Sequence, residues 1–210
     1  MRVKAAIRSL SSLMIASIFV VATVNAAPQG QLTQSITAGT LTTDIRDASY
    51  VTVASPTFGL SALNISNDCQ TSTGTYGSAS QRVYVDNPGG ADSGWNLSIA
   101  ATDGAGALWE DGANNYDFDD PAGSGCTGGQ MTLDPNAGTL SADAGTTTGI
   151  TKGTQTAFNS NNSINLLAAA AGSDDIFRGY ITGIGISQEV PASTPAGTYT
   201  IDLTQTVLAL

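Results

Sequence analysis

Short runs in which apolar and polar residues alternate, each halted by turn formers, restrict this chain more than any other feature. Trp95, Leu97 and Ile99 alternate with Asn96 and Ser98, the two-residue period of a strand with one buried face. Arg82-Val83-Tyr84-Val85-Asp86 alternates and stops at Asn87-Pro88-Gly89-Gly90, and Met131-Thr132-Leu133 stops at Asp134-Pro135-Asn136. Such clusters of Asn, Pro, Gly and Asp end strands because they supply turn dihedrals and, at proline, remove a ladder donor. Tyr50-Val51-Thr52-Val53 is a further β-branched run. From Tyr180 to Ile186 the chain alternates again, with Ile181, Gly183 and Gly185 on one face; these glycines point to bulges or close backbone approach. Tyr199, Ile201, Leu203, Gln205 and Val207 share one face of a last strand, and Thr200, Asp202, Thr204 and Thr206 the other.

Helices have little to form from. Fifteen of the seventeen acids are Asp, only Glu110 and Glu189 are Glu, and Lys152 is the sole lysine after Lys4. The charged residues that favour helices are thus nearly missing, while Gly, Ser, Thr, Asn and Asp favour turns. The run Ile164-Asn165-Leu166-Leu167-Ala168-Ala169-Ala170-Ala171 is open to a short helix or a buried strand, and its length favours the strand. The expectation is an all-β chain, a single β-sandwich of mostly antiparallel strands with long Gly/Asp/Thr-rich loops. Residues 103–129 and 143–162 are poor in strand signal and are expected to be two such loops, where function often sits.

Residues 1–26 read as a secretory signal peptide. Arg2, Lys4 and Arg8 precede an apolar stretch through Leu13, Ile18 and Val21, and Val24-Asn25-Ala26 gives a small-residue cleavage site, the three parts that export requires. The domain is then expected over residues 27–210. Three of the seven Lys/Arg fall in the leader, which leaves a formal charge of −13 beyond it. Such a surface repels nucleic acid and anionic lipid, so neither is an expected partner, and no membrane contact is expected once the leader is removed. Cys69 and Cys126 are the only cysteines, and an isolated pair in an exported chain predicts one disulfide. It would close a loop of about 57 residues, worth about 4 kcal/mol in the chain-entropy model.

Catalytic options are few. Histidine is absent, which removes Ser-His-Asp, Cys-His and His-containing zinc sites. A carboxylate pair is what is left. The local cluster is Trp109-Glu110-Asp111 followed by Asp117-Phe118-Asp119-Asp120. Three readings are open: a solvated loop, a Ca²⁺ site on Asp117, Asp119 and Asp120, or a sugar cleft with catalytic carboxylates. The expectation is a protein without catalysis and without a resident cofactor, Ca²⁺ excepted.

Gly94-Trp95-Asn96-Leu97-Ser98-Ile99 resembles the first W-x-L motif of the WxL domains of bacterial cell-wall proteins. Val190-Pro191-Ala192 and Pro195-Ala196-Gly197-Thr198-Tyr199-Thr200 resemble the segment before that family's second motif. There this chain reads Leu203-Thr204-Gln205-Thr206-Val207, with Gln205 in place of the second tryptophan and Val207 in place of the following leucine. The resemblance implies a β-rich domain secreted to the cell surface that associates non-covalently with the cell wall. Trp95, Asn96, Leu97, Tyr199, Leu203 and Gln205 are its wall-binding or core residues, and wall glycan or other surface proteins its partners. Two roles stay open for Trp95: core packing, which its alternation with Leu97 and Ile99 favours, or contact with the wall. Gln205 falls in the apolar register of its strand, where a buried amide needs partners, so a rim position is expected. The alternative to a wall binder is a self-assembling subunit of a surface layer or filament, its Thr-rich final strand pairing with a neighbour's sheet edge.

Overall fold

The computed structural model describes residues 32–89, 93–120, 128–159, 163–173 and 176–210. The expected leader lies outside them, and so does Cys126. Cys69 carries no free thiol; its pairing with Cys126 is our proposal. Residues 37–210 form one compact unit. It is all-β, built from antiparallel sheets, as the alternating runs predict. No helix among the described residues is long and apolar enough to cross a membrane.

The first sheet has the order β1 (Thr42–Arg46), β3 (Arg82–Pro88), β12 (Ile176–Thr182), β8 (Thr139–Ala144). The second has the order β10 (Thr156–Ala157), β7 (Met131–Asp134), β13 (Ile184–Val190), β2 (Gln70–Tyr76). Gly183 alone separates β12 from β13, and a 3-10 turn, Pro135–Ala137, separates β7 from β8. The two sheets are therefore arms of one bent layer. Opposite lies the third sheet, β14 (Leu203–Ala209), β4 (Trp95–Ala101), β11 (Ser163–Ala169), β9 (Ile150–Lys152). The hairpin β5 (Leu108–Glu110) and β6 (Asn115–Asp117) stands apart.

Burial follows the pleat. Along β4, Trp95, Leu97, Ile99 and Ala101 point inward and their neighbours are half-buried. The Trp95 ring stacks on Phe177 of the facing sheet, with centroids 5.8 Å apart. Ile164, Leu166, Leu167 and Ala169 of β11 are buried beside them, so the Ala-rich run is the strand that its length favours. On one side the sandwich is closed by the chain, because β9 pairs in the third sheet and β10 in the second. On the other side β1 and β14 face each other across a seam bridged by Gln205. Its amide nitrogen donates to Thr43 Oγ1 at 3.0 Å, and the Tyr76 hydroxyl donates to its Oε1 at 3.4 Å. Gln205 is half-buried at the rim, with both ends of its amide partnered, as its register requires.

Three expectations are corrected. The run Tyr50-Val51-Thr52-Val53 is no strand; it turns back on β1 through a single bridge, Arg46 to Thr52. Tyr50 sits there at φ 65°, and its ring is held by Arg46 and Arg178, so the β-branched run serves a turn. Residues 103–129 and 143–162 are not strand-free: the first contains β5 and β6, the second β9, β10 and the end of β8. Strands of two or three residues leave no periodic signal. Finally, the alternation from Tyr180 to Ile186 is not continuous. Ile181 and Ile184 are both fully buried, which a straight strand forbids. Gly183, at φ 73°, bends the chain there and shifts the buried register by one residue.

The outer face of the first sheet holds Arg46, Arg82 and Arg178 among Tyr50, Tyr84 and Tyr180. Guanidinium carbons lie 4.1 to 4.6 Å from ring centroids, and Tyr84 and Tyr50 donate to Asp143 and Asp86. Lys152, the other cation of the compact unit, is tied to the carbonyls of Asn136 and Gly138.

Candidate functional site

An open groove of about 720 Å³ runs between the hairpin β5–β6, the edge of β2 and the segments 57–66 and 190–200. The first wall is segment 57–66, which lies along β2 without becoming a strand of it. Ser61 N donates to Thr73 O at 2.8 Å, its hydroxyl donates to the same oxygen at 2.8 Å, and Ser72 Oγ donates back to Ser61 O at 2.6 Å. Gly74 permits this approach: a Cβ there would stand 2.5 Å from the Gly59 carbonyl oxygen and 2.8 Å from a Leu60 methyl.

The opposite wall is aromatic. Trp109 of β5 stacks on Tyr116 of β6 at 6.1 Å and 15°, and Tyr116 meets Tyr199 at 5.1 Å. The pairing of the hairpin places the first two rings side by side. Asp111 holds the turn by accepting from the backbone of Ala113 and Asn114 and from the Asn114 side chain. Those bonds keep its carboxyl ionised below the usual range. Tyr199 arrives from outside the hairpin: Thr200 and Glu110 exchange backbone hydrogen bonds of 2.9 and 3.0 Å, and the Tyr199 hydroxyl donates to Pro195 O at 3.0 Å. The Trp109 indole N–H points inward to the fully buried Gln188, 2.8 Å away, so the ring is locked in place while half-exposed. Burial, and then the neighbouring Tyr199, push the Tyr116 hydroxyl up to about 12. It is a neutral phenol at every physiological pH.

The lining of the groove carries no Asp, Glu, Lys or Arg among the described residues. In an acidic chain this neutrality is selective. It leaves ring faces, amides and hydroxyls (Asn64, Gln70, Ser66, Thr198) as recognition groups.

The residues expected from sequence divide between three places. Trp95 and Leu97 are core, 1% and 0% exposed, and Asn96 is half-buried on the other face of β4. Leu203 packs against the core and Gln205 bridges the seam. Tyr199 alone of that set lines the groove, with the Val190-Pro191 and Pro195 to Thr200 segments around it. The acidic cluster is parted from the aromatics that accompany it in sequence: Trp109 and Tyr116 face the groove, whereas Glu110, Asp111, Asp117, Asp119 and Asp120 do not. Asp119 N donates to the Asp117 carboxylate at 2.9 Å. Desolvation, then a hydrogen bond and repulsion from Asp117, and repulsion from Asp120, push the Asp119 carboxyl up to about 6. Among the described residues no three His, Cys, Asp or Glu side chains form a metal-holding group. Phe58, Leu60 and the rest of segment 57–66 have no counterpart in the sequence reading. Their signal is short: Phe58, Leu60 and Ala62 alternate with Gly59 and Ser61, and the period breaks at Leu63.

Comparison of the chain with protein-family models, curated proteins and solved structures finds no match.

Proposed function

We propose that this is a non-catalytic surface protein, exported through the leader over residues 1–26, that associates non-covalently with the bacterial cell wall by binding its glycan in the aromatic groove. One observation carries the reading: three half-buried rings, Trp109, Tyr116 and Tyr199, line a groove with no charged side chain among the described residues. A sugar ring offers a C–H face to such rings and hydroxyls to neighbouring amides and carbonyls, and it brings no charge for a site to match. Among the described residues no carboxylate lines the groove, Asp111 standing behind Gly197 at its margin, whereas glycoside hydrolysis uses a carboxylate pair flanking the bond, which favours binding over cleavage. The resemblance to WxL domains supports the same partner, since the segments that carry it, around Pro191 and from Pro195 to Thr200, form one end of the groove.

Retention of the exported chain on purified peptidoglycan tests this. Tyr116→Ala and Tyr199→Ala should leave melting nearly unchanged and weaken retention, because a central interface aromatic accounts for about 2 kcal/mol of binding or more. Trp95→Ala should behave in the opposite way, costing about 3–5 kcal/mol of stability and losing retention only as the domain unfolds. Folded groove variants that bind wall as the parent does would overturn the proposal.

A further inference from the structure

The third sheet ends in an edge, β14, whose outward main chain is unpaired among the described residues, with β1 of the facing sheet across the Gln205 seam. Asp202 O accepts from Thr102 N, and Leu210 N donates to Gly94 O. With β14 pairing β4 in unbroken register from Leu203 to Ala209, the even-numbered residues face β4. The N–H and C=O groups of Leu203, Gln205, Val207 and Ala209 therefore point outward, and no described group bonds them. Natural edges are blunted by charge, proline, bulges, shortness or cover. The other edges of the fold show these devices. Val53 and Val51 bond the outer side of β1, and Ser61 covers β2. β8 carries Asp143 and a register break, and β9 and β10 are three and two residues long. β14 is seven residues of Leu-Thr-Gln-Thr-Val-Leu-Ala with no charge, no proline and no bulge.

A matching strand lies at the other end of the chain. Residues 32–40 form no element and are exposed throughout. Gly39 is tied to Pro88, its N–H donating to the carbonyl at 3.0 Å, and residues 32–38 ahead of it are as long as β14 and belong to no strand. Leu32 and Ile36 share one face of that stretch when extended. They are 100% and 86% exposed, and Leu208 and Leu210, at and just beyond the end of β14, are 62% and 63% exposed. These are four of the eight large apolar side chains exposed among the described residues. Neither strand carries a charge, so two acidic copies can meet there without bringing carboxylates together.

We propose that residues 32–38 of one copy add as a strand to the open edge of β14 in a second copy, joining copies head to tail. Main-chain hydrogen bonds supply the affinity and the alternate side chains the register. Because donor and acceptor are different surfaces of one chain, the contact is heterologous and propagates. The groove takes no part, so the wall-binding proposal stands or falls separately.

Sedimentation of the exported chain across a concentration series tests the joint. The parent should rise well beyond twice the monomer mass. Leu32→Asp combined with Ile36→Asp removes the donor outside the compact fold, and Val207→Pro removes an outward N–H from the acceptor together with part of a side chain that packs against the core; each should stay monomeric. An equimolar mixture of the two should form a dimer and stop there, because each copy keeps one half of the joint. A parent that is monomeric at every concentration overturns the proposal, as does association that the Leu32/Ile36 variant leaves intact. If Val207→Pro fails to melt like the parent, the donor variant alone decides.

Discussion

Asp119 is held among like charges, and its proton ties stability to pH. Its carboxyl titrates near 6 in the fold and near the ordinary value of about 4 when unfolded. Between those values the folded state keeps a proton that the unfolded state has lost, so stability falls as pH rises from about 4 to about 6 and stays lower above it. Asp119→Asn should abolish that decline and melt higher than the parent at pH 7, read from melting curves across the pH series. Single residues were legible where the backbone period spoke for them. Trp95 is core because its neighbours at two-residue spacing are apolar, and Gln205 is at a rim because an amide in an apolar register must find partners. Trp109 stands out in sequence as an aromatic beside acids, whereas Tyr116, next to Asp117, gives no signal of its own. That they turn away from those acids depends on hairpin pairing, which no spacing encodes.

Among the elements, β12 and β13 show where a two-residue period misleads. Read straight through, it buries Tyr180, Thr182, Ile184 and Ile186 on one face or Ile181 on the other; the fold buries Ile181 and Ile184 together. Gly183 makes the switch at a φ that costs other residues about 1–2 kcal/mol. Gly183→Ala should therefore lower unfolding stability by about that amount, measured by denaturant titration, although a Cβ there meets nothing within 4 Å. A loss well above this would mean that the two arms of the bent layer also separate. Long strands such as β3, β4 and β14 were readable because five or more residues establish a period. β5, β6, β9 and β10 were not, because strands of two or three residues establish no period and each owes its form to its partner strand.

At the scale of the whole molecule, the charges explain where contact between copies is tolerable. Arg46, Arg82 and Arg178 are engaged with tyrosine rings and Lys152 with carbonyls, so the remaining surface is dominated by Asp. Copies repel one another through that surface, and added salt screens it. Self-association should therefore strengthen as ionic strength rises, the reverse of an ion-paired interface, and sedimentation in low and high salt reads the sign directly. The Gln205 bridge across the open seam has a mechanical consequence. In a file of copies joined as proposed, a pull enters each copy at β14 and leaves through the segment ahead of β1. Those two strands are linked directly by the contact between Gln205 and Thr43. Tension would run along this flank and pass by the aromatic groove, so a filament under load could stretch at its joints while each subunit keeps its grip.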